Sequence, residues 1–231
     1  MLPEELDFAN QLAAVEDRIQ RAAQNCGRKR TDITLVAVSK KFAAERLLIA
    51  YRAGLRHFGE NYVQEFADKH PALKEMSEAR YHLIGHLQSN KSRQACELFQ
   101  VIQTVDTPKL LKRLDAAAAE RGETIEVMIE VKLSEEDSKS GADPAEIPVL
   151  LDTAAQCSRV SLTGLMTIPP WSEDAEVSRP FFRQLAALAR QHNLPKLSMG
   201  MSGDLEIAIE EGATIVRVGT ALFGKRPNLR P

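Results

Sequence analysis

The chain has 231 residues, of which 44% are hydrophobic and 27% charged. This length suits a single α/β barrel, which takes about 200 to 250 residues, and the apolar content excludes an intrinsically disordered chain. Thirty basic and 32 acidic side chains leave a formal net charge of -2, which argues against a nucleic acid or an anionic membrane as partner.

The cysteines and the N-terminal segment indicate the compartment. Cys26, Cys96 and Cys157 are odd in number, widely spaced and without a CxxC motif. They fit neither a disulfide framework nor a zinc site, and they suggest a reducing environment. The segment MLPEELDFANQL has no apolar signal core, and no later stretch approaches the roughly 20 apolar residues of a membrane span. We therefore expect a cytoplasmic protein.

Short apolar runs alternate with longer amphipathic stretches eight times along the chain, the pattern of strands followed by helices. A leading helix is predicted over 3–24. Strands are predicted at 33–38, 57–60, 81–85, 101–105, 125–131, 162–168, 197–200 and 215–219. Helices are predicted at 43–53, 62–74, 90–98, 108–120, 144–155, 173–192 and 205–211, with a short last one at 221–222.

Eight strand–helix pairs favour a closed parallel barrel over an open doubly wound sheet, because the strands are continuously apolar and no GxGxxG follows the first. The predicted fold class is α/β. We expect one (β/α)8 TIM barrel over 1–231 as a single domain, with an extra N-terminal helix. The polar stretch 134–143 is predicted to be a loop on the functional face, after the fifth strand.

Lys40 is the first candidate site residue. It follows the apolar run ITLVAVS at the end of the first predicted strand, and strand ends form the functional face of such a barrel. Desolvation there would favour the neutral amine that a Schiff-base nucleophile requires. A surface lysine is the plainer interpretation, and the neighbouring Lys41 leaves the choice of lysine open.

Two turns predict an anion site. After the seventh strand, LSMGMSGD offers the hydroxyl of Ser202 and the unhindered backbone N–H of Gly203, and Asp204 caps the helix that follows. After the eighth strand, Gly219 and Thr220 offer backbone N–H groups and a second hydroxyl. These are the loops in which this barrel usually holds phosphate, whereas two ordinary strand-to-helix turns are the alternative.

Arg217 lies two residues before Gly219, so both are predicted on the same side of the eighth strand. A guanidinium inside a barrel needs an acceptor, either an aromatic nitrogen or a carboxylate. An internal ion pair with Glu130 is the alternative. An imine-forming lysine, a phosphate site and an inward arginine together describe a pocket for pyridoxal 5'-phosphate, whose aldehyde, phosphate and pyridine nitrogen need these contacts.

Six segments between residues 35 and 224 resemble the pyridoxal phosphate homeostasis protein family: LVAVSKKF, HFGENYVQE, YHLIGHLQSNK, GLMTIPP, LSMGMSGD and VRVGTALFG. The resemblance implies the alanine-racemase-type barrel of fold type III, without that enzyme's second domain. It implies that Lys40 forms the aldimine and that Arg217 meets the pyridine nitrogen. It places Ser202, Gly219 and Thr220 at the phosphate.

The resemblance also brings in residues on other strands. It implies that Asn61 and His82 approach the cofactor ring and that Met199 and Met201 pack beside it. Each has a plainer interpretation: Asn61 as a helix cap, His82 as a hydrogen-bonded strand histidine, and the methionines as core.

An arginine at the pyridine nitrogen disfavours protonation of the ring, which makes the ring a poorer electron sink. A racemase also needs an acid/base group on each face, and fold analogy puts the second on a domain we expect this chain to lack. We therefore expect a protein that holds pyridoxal phosphate as a lysine aldimine and buffers or delivers it in vitamin B6 and amino-acid homeostasis, without robust catalysis.

The expected partners are pyridoxal phosphate and pyridoxal-phosphate-dependent apoenzymes, and the expected oligomeric state is a monomer or weak dimer. An amino-acid racemase is the alternative function. A class I aldolase using the same lysine would leave Arg217 without a ring nitrogen, and a structural interaction module would leave Lys40 without a role.

Overall fold

The computed structural model describes residues 2–134 and 140–224. Eight parallel strands close into a barrel in sequential order. The strands are β1 Thr34–Val38, β2 His57–Glu60, β3 Arg80–Leu83, β4 Val101–Val105, β5 Ile125–Glu130, β6 Val160–Met166, β7 Lys196–Ser198 and β8 Ile215–Val218. The predicted (β/α)8 barrel is therefore confirmed.

The helices surround this barrel, one after each strand, and one further helix leads the chain. They are α1 Pro3–Asn25, α2 Ala44–Arg52, α3 Val63–Lys69, α4 Ser92–Leu98, α5 Pro108–Arg121, α6 Ile147–Ala155, α7 Arg179–Gln191, α8 Leu205–Glu210 and α9 Thr220–Phe223. None of the helices in the described ranges is long and apolar enough to cross a membrane. Of the predicted loop 134–143, residues 135–139 lie outside the described residues.

Three predicted helices that contain proline divide into a 3₁₀ segment and an α-helix, and a fourth, 90–98, divides without a proline into the 3₁₀ segment Ser89–Lys91 and α4. The stretch 62–74 ends in the 3₁₀ segment His70–Leu73, while α6 and α7 each follow a 3₁₀ turn, at Pro144–Glu146 and Ala175–Ser178. Proline explains the divisions in the first three. It lacks the backbone N–H and disfavours helical backbone in the residue before it, so α-helices end before it or begin with it in their first turn.

The N-terminal helix α1 packs across α8 and α9 with one apolar face. Its buried Phe8 contacts Phe223, the two rings having centroids 5.4 Å apart. On its polar side, Arg18 forms an ion pair with Glu206 at 2.6 Å and donates from Nη2 to the carbonyl of Ser202 at 2.9 Å. The helix therefore supports the loop that follows β7.

Candidate functional site

A cavity of about 370 Å³ opens at the carboxyl ends of the strands. Eight of the nine predicted site residues line it. They are Lys40, Asn61, Met201, Ser202, Gly203, Arg217, Gly219 and Thr220. His82 is the exception. The barrel therefore brings together residues that lie up to 180 positions apart in the sequence.

Lys40 follows β1, and its half-buried side chain lines the cavity. Lys41 is exposed and does not line it. The backbone of Lys41 has a φ of 65°, in the left-handed region that few non-glycine residues adopt. This turn separates the two lysines, so that Lys40 is the one that faces the cavity.

A lysine whose side chain is only 9% exposed holds the turn around Lys40. Lys69 Nζ donates to the carbonyls of Ser39 and Phe42, each at 3.2 Å, and to Glu60 Oε1 at 2.9 Å. Glu60 is fully buried, and its Oε1 also accepts from the Ser39 hydroxyl at 2.7 Å. Burial raises the pKa of the Glu60 carboxyl, and the positive charge of Lys69 opposes that rise. The backbone is thus fixed on both sides of Lys40.

The loop after β7 presents a hydroxyl and an open glycine to the cavity. Ser202 Oγ accepts from the backbone N–H of Ala221 at 3.3 Å, which leaves its own hydrogen to donate. A Cβ added at Gly203 would meet no atom within 4 Å, so an anion has room to approach its backbone. Asp204 closes the loop, since its Oδ1 accepts from the N–H of Met201 at 2.6 Å.

We predict that Gly200→Ala disrupts this loop. Gly200 has a φ of +91°, and a Cβ there would lie 2.4 Å from the Cβ of Ala208 in α8. Left-handed backbone and overpacking should together lower the free energy of unfolding by about 2 to 5 kcal/mol, measured by urea denaturation. Gly203→Ala, at an open position, is the matched control and should stay within about 1 kcal/mol of the native protein. Equal stability of the two variants would contradict the prediction.

Arg217 is buried within the barrel and lines the floor of the cavity. Its Nη1 donates to Ser198 Oγ at 2.6 Å and its Nη2 to the carbonyl of Thr167 at 2.9 Å. Burial lowers the pKa of Arg217 to about 10, so the guanidinium stays charged at neutral pH. Among the described residues it makes no ion pair with Glu130 within 4.0 Å, so the predicted alternative of an internal ion pair is not found.

Asn61 brings an unpaired hydrogen-bond acceptor to the cavity, which bears on the kind of ligand that the cavity suits. Its Oδ1 is buried and has no hydrogen-bond partner, although nearly all buried polar groups have one. The N-cap of α3 is Tyr62, and no side chain caps that helix, so the helix-cap interpretation of Asn61 does not hold. An amine, a guanidinium, two hydroxyls and an orphan acceptor on one cavity fit a phosphorylated aromatic aldehyde.

His82 lies elsewhere, contrary to the expectation that it approaches the cofactor ring. It is level with Val101, the first residue of β4, and so lies nearer the amino ends of the strands. It lines a separate cavity of about 210 Å³ at the opposite mouth of the barrel. Its Nε2 is 3.0 Å from His57 Nδ1 and its Nδ1 is 3.0 Å from Gln103 Nε2. The hydrogen-bonded strand histidine is therefore the correct interpretation.

The loop after β6 forms a wall of the cavity that the sequence analysis missed. It contributes Ile168, Pro170 and Trp171, the single tryptophan of the chain, which is 82% exposed. Ser178, farther along, also lines the cavity and donates to Asp204 Oδ2 at 2.9 Å. A tryptophan next to the Pro-Pro of GLMTIPP was the available signal, since loops after barrel strands carry function.

Fold and cavity together define a (β/α)8-barrel protein with a lysine, an arginine and a serine–glycine loop at the carboxyl ends of its strands. The family model described as "Alanine racemase, N-terminal domain" matches residues 11–227. Relatives named "Pyridoxal phosphate homeostasis protein" include one from Aquifex aeolicus, 40% identical over 96% of this chain and 99% of the relative. Another, from Escherichia coli K12, is 43% identical over 95% of this chain and 97% of the relative. The chain belongs to the alanine racemase N-terminal domain family and, within it, to the pyridoxal phosphate homeostasis proteins.

Solved structures agree with this assignment. PipY of Synechococcus elongatus, described with pyridoxal phosphate bound, superposes with a TM-score of 0.82 at 39% identity, covering 94% of this chain and all of that one. Alanine racemase of Clostridium difficile superposes with a TM-score of 0.69 at 12% identity and is covered over 57% of its length. The second likeness concerns the fold alone.

Proposed function

We propose that this protein binds pyridoxal 5'-phosphate in the cavity, holds it covalently on Lys40 and hands it to apoenzymes in the cytoplasm. The observation that carries the proposal is that Lys40, Ser202 and Arg217 line a single cavity. The family assignment and the PipY structure described with pyridoxal phosphate support the same ligand.

Each residue has a distinct task in this proposal. Pyridoxal phosphate supplies an aldehyde that condenses reversibly with a primary amine. Lys40 provides that amine, and the Lys69–Glu60 pair keeps its backbone in place. The Ser202 hydroxyl and the open backbone at Gly203 bind the phosphate. Arg217 donates an N–H toward the ring nitrogen.

The charges around the cavity support the carrier role. Arg217 donates hydrogen bonds only, so it disfavours a protonated ring nitrogen and weakens the ring as an electron sink. Asp204 carries the one carboxylate among the described lining residues, and both its oxygens already accept hydrogen bonds. It is therefore poorly placed to act as a base.

We predict that Ser202→Ala weakens pyridoxal phosphate binding about 10- to 100-fold, because a hydrogen bond to a charged group contributes about 1.5 to 3 kcal/mol. Equilibrium titration of the visible band measures the effect. Ser172→Ala is the matched control, since Ser172 also lines the cavity but lies in the loop after β6, outside the loops after β7 and β8 to which the phosphate is assigned. Equal losses in both variants would argue against a phosphate at Ser202.

Transfer of the cofactor tests the function. The protein is loaded, freed of unbound pyridoxal phosphate by desalting and mixed with a pyridoxal-phosphate-dependent apoenzyme. We expect the apoenzyme to regain activity while the carrier loses its visible band. No reactivation after prolonged mixing would overturn the carrier role.

An amino-acid racemase is the second candidate, and Glu130 is the observation in its favour. This buried carboxylate lines a chamber of about 200 Å³ that shares Asn61, Ile84 and Ile168 with the main cavity. Burial raises its pKa to about 7, a value suited to a general base. Steady racemisation that Glu130→Gln abolishes would favour the enzyme over the carrier.

A further inference from the structure

A continuous chain of hydrogen bonds crosses the barrel interior beneath the cavity. It begins at Arg217, whose Nη1 lies 2.6 Å from Ser198 Oγ, and Ser198 Oγ lies 2.6 Å from Gln103 Oε1. Gln103 Nε2 is 3.0 Å from His82 Nδ1, and His82 Nε2 is 3.0 Å from His57 Nδ1. Arg217 and the next three members are all at most 3% exposed.

Chemistry gives this chain one direction. A guanidinium can only donate, so Ser198 Oγ accepts from Arg217 and passes its own hydrogen to the Gln103 carbonyl. The amide N–H of Gln103 then donates to His82 Nδ1. The proton of neutral His82 must therefore be on Nε2, where it donates to His57 Nδ1. Every bond points away from the cavity.

The far end of the chain lies at the opposite mouth of the barrel. His57 is the first residue of β2, and it shares its cavity with the first residues of other strands, including Arg80 and Lys196. The groups that face it there are these two cations, Glu126 between them and Asp32 before β1. Burial and the two cations lower the pKa values of both histidines, which are therefore neutral at neutral pH.

We propose that Ser198, Gln103 and His82 are positioning residues for Arg217, and that this directed chain holds the guanidinium in the orientation in which it donates to the ring nitrogen of the ligand. The inference rests on the proposed function only for the identity of that ligand. His82 thus serves the site through three hydrogen bonds rather than by touching the cofactor.

The chain of hydrogen bonds depends on the protonation states of His57 and His82. A proton on His57 Nδ1 would face the N–H of His82 across 3.0 Å, and reversing the His82 tautomer would set its Nδ1–H against the amide N–H of Gln103. With the Gln103 amide in the orientation described above, one bond must break in either case. The chain is intact only while both histidines are neutral.

The tautomer of His82 provides a test that needs no cofactor. Long-range ¹H–¹⁵N NMR of the cofactor-free protein at pH 7 should show the His82 proton on Nε2. In Gln103→Glu, a carboxylate replaces the amide donor, and the proton should move to Nδ1. A His82 proton on Nδ1 in the native protein, or no change in Gln103→Glu, would overturn the directed chain.

Ligand discrimination provides the second test. The 1-deaza analogue of pyridoxal phosphate has a ring carbon where the cofactor has nitrogen. The native protein should bind pyridoxal phosphate roughly tenfold tighter than the analogue, and Gln103→Met should bring that ratio toward one. A merely structural role would weaken both ligands equally and leave the ratio unchanged, which would overturn the proposal.

Gln100→Met is the matched control. Gln100 lies at the amino end of β4, and its side-chain oxygen accepts from the backbone N–H of Tyr81, so it takes no part in the chain of hydrogen bonds from Arg217 to His57. It should keep the native ratio. Should the native protein bind neither ligand, the proposed function fails, whereas the NMR test of the chain still stands.

Discussion

Replacing Lys40 with alanine is expected to abolish covalent attachment of pyridoxal phosphate and to weaken its retention by roughly a hundredfold or more. Lys40 is the one lysine among the described residues that line the cavity. The phosphate contacts that we propose at Ser202 do not involve Lys40, so weak, non-covalent binding should persist in this variant. Titration of the visible band, with and without borohydride reduction, measures both effects.

Lys41→Ala is the matched control for this variant. Lys41 is exposed and outside the lining of the cavity, so its loss should leave the band and the affinity as in the native protein. A reducible band that survives in Lys40→Ala and disappears in Lys41→Ala would show that the turn after β1 presents the other lysine.

Replacing Glu130 with glutamine is expected to stabilise the cofactor-free protein at alkaline pH. Burial raises the pKa of Glu130 from 4.5 to about 7, and its Oε2 has no hydrogen-bond partner. A carboxyl with a raised pKa binds its proton more tightly in the folded state. The native protein therefore loses stability as pH rises from about 4.5 to 7 and stays less stable above that range.

Glutamine has nearly the same shape and no charge, so it avoids this loss. The difference in free energy of unfolding should be about 3 kcal/mol at pH 8 and near zero at pH 4.5. Urea denaturation at the two pH values measures it. Glu126→Gln should show the opposite sign at pH 8, because Glu126 pairs with Lys196 and Arg80 and has a lowered pKa. Unchanged stability of Glu130→Gln at both pH values would show that the native carboxylate has a partner after all.

The barrel was predictable because the strands are short, most of them are apolar, and each is followed by an amphipathic stretch. Strands 57–60 and 101–105 agree with the structure at both ends. The predicted strand 197–200 is instead Lys196–Ser198, because Gly200 has a φ of +91° that takes the backbone out of extended geometry. Periodicity indicates that a strand exists, but local backbone angles decide where it ends.

The residues that line the cavity could be predicted where the fold class alone fixes their position in the barrel. Loops seven and eight come together in any such barrel, so Ser202, Gly219 and Thr220 could be placed from the sequence. Which of Lys40 and Lys41 faces the cavity depends on the backbone conformation of the turn after β1. Lys69, distant in sequence, stabilises that turn through hydrogen bonds to the carbonyls of Ser39 and Phe42.

The height of His82 along the barrel axis was not predictable. It depends on the register between β3 and β4, which the sequence of β3 does not contain. The hydrogen bond between Ser198 and Gln103 joins residues 95 positions apart, so no local pattern indicates it. Long-range polar pairs of this kind become visible only when the barrel is closed.

Mass spectrometry of the protein reduced with borohydride in the presence of pyridoxal phosphate tests the central claim most directly. We expect one phosphopyridoxyl group, on the peptide that contains Lys40, with fragment ions that assign it to Lys40 rather than Lys41. An adduct confined to any other lysine, or an unmodified chain at saturating pyridoxal phosphate, would contradict the account.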